Sequence, residues 1–385
     1  MGNKQTGLFY SKPLPAVGSL QPAFLLRLVI LTWIITKFIC YPLWMGDRDF
    51  FIVPVHDILL QLPAYWHAML FWGSLVFMAA VVIFPRKKLV AVIVILELLS
   101  CLLDQNRWQP WEYQFIFMLA AYICIKGEEH LYTAWQIILI GLYFFSGLSK
   151  LNSAFIQDVW NSLLLRNWLG IYTTDAFMFR LGYALPLAEM AAAILLCFAR
   201  FRKLGTVILI GMHIIILLVF GPLGLHRNEV IWPWNILMPV LLILLFYRRS
   251  FVPLRSFFRQ SSSWLVLGCF CILPWLHLAG KWDHYLSFTL HSGGIPHLYI
   301  CTDDAAALQK MAVYMSSTRN GMIPCRFPVG AYQWGIKAMN TTPYPQQRVF
   351  RSIARQWKKQ HPNAAVKFYI YTSGFKPAVE ELKEL

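Results

Sequence analysis

Apolar runs close to 20 residues long, separated by short polar segments, fill the first three quarters of the chain. A bilayer core about 30 Å thick is crossed by roughly 20 helical residues. Nine candidate spans follow, at residues 22–41, 64–84, 88–103, 111–126, 131–149, 179–199, 204–221, 230–247 and 263–280. The third and fourth are short and read as tilted or partly interfacial. Only 14% of residues are charged and 58% are hydrophobic, against about 25% charged in soluble domains. That balance excludes a soluble enzyme, a disordered chain and a disulfide scaffold. The expected fold class is an all-α polytopic transmembrane helical bundle with a small C-terminal α/β extramembrane domain.

The formal charge is +16, and its placement sets the orientation. Alternate loops carry Arg86, Lys87 and Lys88; Lys126; Arg200, Arg202 and Lys203; and Arg248, Arg249, Arg255 and Arg259. Lys4 and Lys12 precede the first span on the same side. By the positive-inside rule that side is cytoplasmic, and an odd number of crossings puts the C-terminus outside. The first run begins like a secretory signal. Arg27 and Lys37 interrupt it and no small-residue cleavage site follows, so it reads as a retained span. The expected domains are a cytoplasmic segment at 1–21, a transmembrane domain at 22–280 and an exoplasmic α/β tail at 281–385. No recognition helix or zinc-finger spacing occurs, so the basic excess does not point to nucleic acid. The lipid bilayer is the expected partner.

The tail carries 13 Lys/Arg against six Asp/Glu, about +7. Residues 296–302 and 366–372 pattern as strands, and 303–317 and 345–360 as helices. Cys301 and Cys325 are the two cysteines in polar sequence, and they can pair if the tail faces an oxidising compartment. Residues 155–164 place Phe155, Ile156, Val159, Trp160, Leu163 and Leu164 on one helical face. This pattern fits either an interfacial helix or a plain connecting helix.

Ionisable groups inside a bilayer are costly and mark function. Glu97, Lys150, Glu189 and His213 are the candidates. Lys150 ends a span, where it either snorkels to the interface or acts as a partly desolvated amine usable as a general base. Glu189 must be protonated or paired, with His213 as one partner it could find. Glu97 also lies within a span, where a structural hydrogen bond is the favoured reading. The outer loops add polar groups beside aromatics: Asp104, Asn106, Arg107, Trp108, Trp111 and Tyr113, then Asn152 and Trp160, then His226 and Arg227. Convergent polar groups beside an apolar wall are what a ligand site needs. No CxxC occurs, and no metal site is expected.

Two segments carry a resemblance. Tyr143-Phe144-Phe145-Ser146-Gly147-Leu148-Ser149-Lys150-Leu151-Asn152 resembles the Tyr-Phe-x-x-Gly-x-x-Lys-Leu-Asp stretch of the vitamin K-dependent γ-carboxylase-like (HTTM) membrane family. Asp104 to Tyr113 resembles its Asp-x-x-x-Trp-x-x-x-x-Tyr stretch. His213 and Glu189 fall where that family has a mid-span histidine and an acidic residue, and the resemblance covers roughly residues 20–290. It implies that Lys150 is the base that deprotonates a reduced quinone, with Glu189 and His213 beside it. The chain departs from true carboxylases at Trp111, where they have a histidine, and at Gln109 and Pro110, where they have asparagines. Its tail is also far shorter than the carboxylase domain that binds a protein substrate.

The first functional reading is therefore a quinone- or lipophile-linked membrane enzyme, a carboxylase-like lyase in class, with an exoplasmic-side site. A reduced quinone is the candidate cofactor, a lipophilic small molecule the expected ligand, and another membrane or exported protein a further candidate partner. The alternative comes from a shallower resemblance to DoxX-type redox membrane proteins. It is a redox-associated or scaffolding protein without catalysis of its own.

Overall fold

The computed structural model describes residues 21–304 except 248 and 250, then 308, 309, 311, 323–373 and 378–383. The bundle is built from α1 (Pro22–Ile39), α2 (Tyr65–Ile83), α3 (Lys87–Leu103), α4 (Pro110–Cys124) and α5 (Glu128–Ser149). After them come α6 (Phe155–Trp168), α7 (Ala184–Cys197), α8 (Arg202–Phe220), α9 (Trp232–Leu242) and α10 (Ser261–Leu267). Wider π turns extend α9 to Tyr247, and α10 runs on through π and 3-10 turns to Ala279. Local sequence explains several starts. Pro22 and Pro110 sit in first turns, where the missing N–H costs nothing. Gly127 supplies a φ of 86° before α5, and Glu128 and Glu129 then face that helix's positive end.

Seven helices among the described residues are long and apolar enough to cross a membrane. Each of the nine expected spans is helical, but α3 has 17 residues and α4 has 15. At 1.5 Å per residue these reach only about 25 Å and 22 Å, which is the shortness the sequence signalled. The central helix is α5, with 78% of its apolar window buried, against 33% for α2 and α8. Outward residues such as Val76, Leu204 and Val207 are more than half exposed, as a surface bathed in lipid requires.

The basic loops gather at one end of the bundle. Arg27 donates to the Val82 carbonyl, Lys87 to that of Ile123 and Arg202 to that of Arg249. The loops with mixed polar residues gather at the other end, where the tail also sits. This common face was an expectation from loop charge, and hydrogen bonds now define it: Gln105 N to Val53 O, Asn152 Nδ2 to Ser292 O, and Tyr344 N to Asn106 Oδ1.

The tail forms an antiparallel sheet in the order β2-β1-β3-β4, from β1 (Pro296–Thr302), β2 (Pro328–Gly330), β3 (Val366–Thr372) and β4 (Ala378–Glu381). Pro296 pairs with Thr372 and Thr302 with Val366, so both sequence-read strands keep their limits. Helix α11 (Ala331–Met339) and helix α12 (Gln347–Gln360) complete it. On α12 the apolar residues Val349, Phe350, Ile353, Ala354 and Trp357 are buried in one cluster with Leu298, Ile300, Phe368 and Ile370 of the sheet. The opposite sheet face carries Tyr299, Cys301, Tyr369 and Tyr371, with Cys301 disulfide-bonded to Cys325. The helix expected at 303–317 lies mostly outside the described residues.

The tail is fastened to the bundle by polar contacts. Arg348 grips Asp283 with both guanidinium nitrogens, one of them at 2.8 Å, and Tyr344 donates to the same carboxylate at 2.7 Å. Burial alone would raise the Asp283 pKa, but these hydrogen bonds outweigh it and hold it below the usual value. Two partly buried histidines follow Asp283, His284 next to it and His291 packed on Phe220. Burial lowers His284 to a pKa of about 3 and His291 to about 4. Both are therefore neutral when folded, while the unfolded chain takes up protons near pH 6.5. Stability from these groups is full above pH 6.5 and is lost as pH falls toward the folded values. Lowering the pH from 7 to 5 is expected to cost about 4 kcal/mol for the pair, roughly 2 for each histidine. Denaturation midpoints of the wild type and of H284Q/H291Q across that range check this, and the double variant is expected to show a flatter pH profile.

Candidate functional site

An apolar cavity of about 140 Å³ lies beneath the tail-side end of the bundle. Helices α5, α6, α7, α8 and α9 wall it, and a strap at 288–291 closes it from the tail side. Its size is close to that of an engineered cavity of about 150 Å³ that accepts benzene. Lys150, Glu189 and His213 all line it, so three of the four ionisable groups singled out in the spans meet in one place.

The polar groups form two sets. Lys150 Nζ donates to Glu189 Oε2 at 2.6 Å and to Ser146 Oγ at 2.8 Å. An ammonium has three donors, so one N–H remains for a ligand. The second set is a relay through His213. Asn235 Nδ2 donates to the Ile231 carbonyl at 2.9 Å, which leaves its Oδ1 to accept from His213 Nδ1 at 2.8 Å. His213 Nε2 then accepts from the Tyr143 hydroxyl at 2.7 Å. Of the partners open to Glu189, it takes the lysine, and His213 takes Tyr143 and Asn235. Lysine wins because Gly147 lets α5 approach α7, setting Lys150 over Glu189.

That approach is tight. A Cβ on Gly147 would lie 2.8 Å from both Met190 N and Pro186 O. The substitution Gly147→Ala is expected to push α5 and α7 apart, cost about 2 kcal/mol as overpacking does, and loosen the Lys150–Glu189 pair. The thermal midpoint of the purified variant is the check.

The amphipathic segment at 155–164 forms α6, wound as a π-helix. Phe155, Val159, Leu163 and Leu164 line the cavity, which gives the apolar face a role beyond connection. Gly293, with φ 73°, lets the strap lie against Ala154 and Phe155, where a Cβ would approach to 2.6 Å. The lining residues Val159, Leu163, Leu185, Met212, Ile215 and Ile216 are apolar and part-exposed, with Ile215 itself 40% exposed.

The other expected binding residues fall elsewhere. Asp104, Asn106, Arg107, Trp111 and Tyr113 are buried, and the cavity takes only Pro110 from that segment. Asp104 accepts from Arg48 Nη2 at 2.5 Å and from Val53 N at 3.1 Å. Arg107 donates to the carbonyls of Leu43, Trp44 and Ser100 and to Ser100 Oγ, and meets His67 Nδ1 at 2.9 Å. Burial lowers its pKa to about 10, so it stays charged at neutral pH. Asn106, Gln109 and Gln105 bond Tyr344, Thr342 and Arg348 of the tail. Trp108 packs on Tyr113, whose hydroxyl donates to Cys269 O. Asn152 accepts from Phe155 N and donates to Ser292 O, setting the start of α6. Trp160 donates to Met178 O. His226 pairs with Glu229 on the exposed surface, and Arg227 beside it is exposed.

Sequence reasoning did not place Tyr143 or His291 in a site, and marked Trp234 and Asn235 only as aromatic and polar groups after the outer loop, yet all four line the cavity. Trp234 and Asn235 follow the outer loop, and Tyr143 opens the motif that ends at Lys150, so proximity was the available signal. No family model, no curated protein and no solved structure matches the chain.

Proposed function

We propose that this multi-pass membrane protein receives a quinone-class lipophile in the cavity and acts on its oxygen through Lys150, as the resemblance to the γ-carboxylase-like family implies. The observation that carries the reading is the convergence of Lys150, Glu189 and His213 on one cavity with a largely apolar lining. A single ring fits the volume, and the apolar, part-exposed lining suits a lipid-soluble molecule. The free N–H of Lys150 and the Tyr143–His213 pair are the polar groups that would meet its oxygens. When a ring displaces water, an ion pair in an apolar site becomes costly. A proton passing from Lys150 to Glu189 then leaves a neutral amine and a neutral acid. The amine accepts the hydroxyl proton of a reduced quinone, and the developing oxyanion sits beside the new ammonium.

The orientation belongs to the same proposal. Seven and nine crossings are both odd, so either number separates the two ends of the chain. The basic loops at one end favour a cytoplasmic N-terminus, and the Cys301–Cys325 disulfide at the other favours an oxidising compartment for the tail.

Extraction of the purified protein with organic solvent tests the function. A quinone-class molecule is expected near one per chain, and is expected to be lost from Lys150→Ala. A wild-type protein that yields no bound lipophile, with a variant of unchanged stability, would sink the reading.

A further inference from the structure

A second cluster of ionisable groups lies away from the cavity, between α1, α3 and α4. Lys37 Nζ donates to Glu97 Oε2 at 2.8 Å, both side chains 1% exposed. Its ammonium also stands 3.1 Å from the centre of the Trp44 ring. Glu112 is fully buried, and its Oε2 accepts from Trp33 Nε1 at 2.7 Å. The remaining oxygen of each acid, Glu97 Oε1 and Glu112 Oε1, is buried with no donor. Trp33 and Lys37, which hold the two acids, stand four residues apart on α1, so both carboxyls face the same stripe of that helix.

The charges do not balance if both acids are ionised. Among the described residues Glu112 has no cation within 4.0 Å, and Glu97 has only Lys37. Arg107 is the next cation, but its N–H groups are spent on carbonyls, Ser100 and His67, and its carboxylate neighbour is Asp104 at 3.9 Å. Cys40 and Cys101 also face the cluster and bring no positive charge. An isolated carboxylate in such surroundings takes up a proton instead of staying charged.

We propose that the bundle holds a binding site for one proton, carried by Glu112 on Oε1 and donated to Glu97 Oε1. This places a donor between the two orphan oxygens and leaves one negative charge opposite Lys37. Every polar atom of the pair is then satisfied: Glu97 accepts from Lys37 and from Glu112, and Glu112 accepts from Trp33. Two carboxyls that share a proton cannot both ionise at close range. The site is independent of the cavity and stands whether or not a lipophile binds there.

Infrared spectra of the whole purified protein and of Glu112→Gln test it, together with thermal midpoints. A protonated-carboxyl C=O band is expected in the wild type, and its Glu112 component is expected to be lost in Glu112→Gln. Glutamine can still donate to Glu97 and accept from Trp33, so its midpoint is expected within about 2 °C of wild type. The double variant E97Q/E112Q leaves Lys37 without a counter-charge and is expected to fall by roughly 10 °C. An undiminished band in Glu112→Gln, no band in the wild type, or a single-variant midpoint as low as the double would each overturn the proposal.

Discussion

Arg107→Met is expected to lower the stability of the protein by about 4 kcal/mol, the scale of removing one member of a buried charged network. The side chain is fully buried, and its guanidinium closes the turn between α3 and α4 against the loop after α1. Methionine fills much of the volume but donates nothing. The carbonyls of Leu43 and Trp44 would lose the guanidinium donor that reaches each of them, and Ser100 would lose two bonds. Asp104 would keep Arg48, so part of the network survives. Because Asn106 and Gln109 of the same turn hold the tail, limited proteolysis is expected to cut the tail earlier than in wild type. The check is the thermal midpoint in detergent, with a fall on the order of 10 °C expected.

The second large effect concerns the cavity pair. Glu189→Leu leaves the Lys150 ammonium with Ser146 alone, in a site where the lysine side chain is 13% exposed. Losing one partner of such a pair is expected to cost about 3 kcal/mol. Removing both, in Lys150→Met/Glu189→Leu, is expected to recover most of that, since apolar groups suit the lining. The double-mutant cycle therefore separates the two meanings of the pair. Recovery of stability without recovery of bound lipophile would mean that the charges are kept for the ligand and not for the fold.

Much of this was legible from the chain, and the limits have physical reasons. The spans follow from hydropathy because lipid demands long apolar helices. Lys150, Glu189 and His213 stand out because ionisable side chains in spans are rare. Their partners are not legible, because pairing depends on which helices touch. Gly147 decides that contact through a missing Cβ, and nothing in the composition of α7 announces it. The Asp104–Tyr113 segment shows the reverse problem. Polar groups beside aromatics describe a ligand pocket and equally a surface on which a domain docks, and here they fix the tail. Lys37 was visible as an interruption in the first span. Glu112 went unnoticed, although an ionisable group on each of three spans must be paired or neutralised somewhere in a bilayer.

The central claim is that the cavity takes its ligand from the membrane, and photolabelling tests it most directly. A ring-bearing diazirine probe dissolved in the bilayer would be activated with the reconstituted full chain, and the adducts mapped by mass spectrometry. Labels are expected on cavity residues such as Leu163, Met212 and Ile216, at one probe per chain, and competition by an unlabelled quinone is expected to remove them. Labels confined to lipid-facing positions such as Val76 and Leu204, with no competition, would contradict the account.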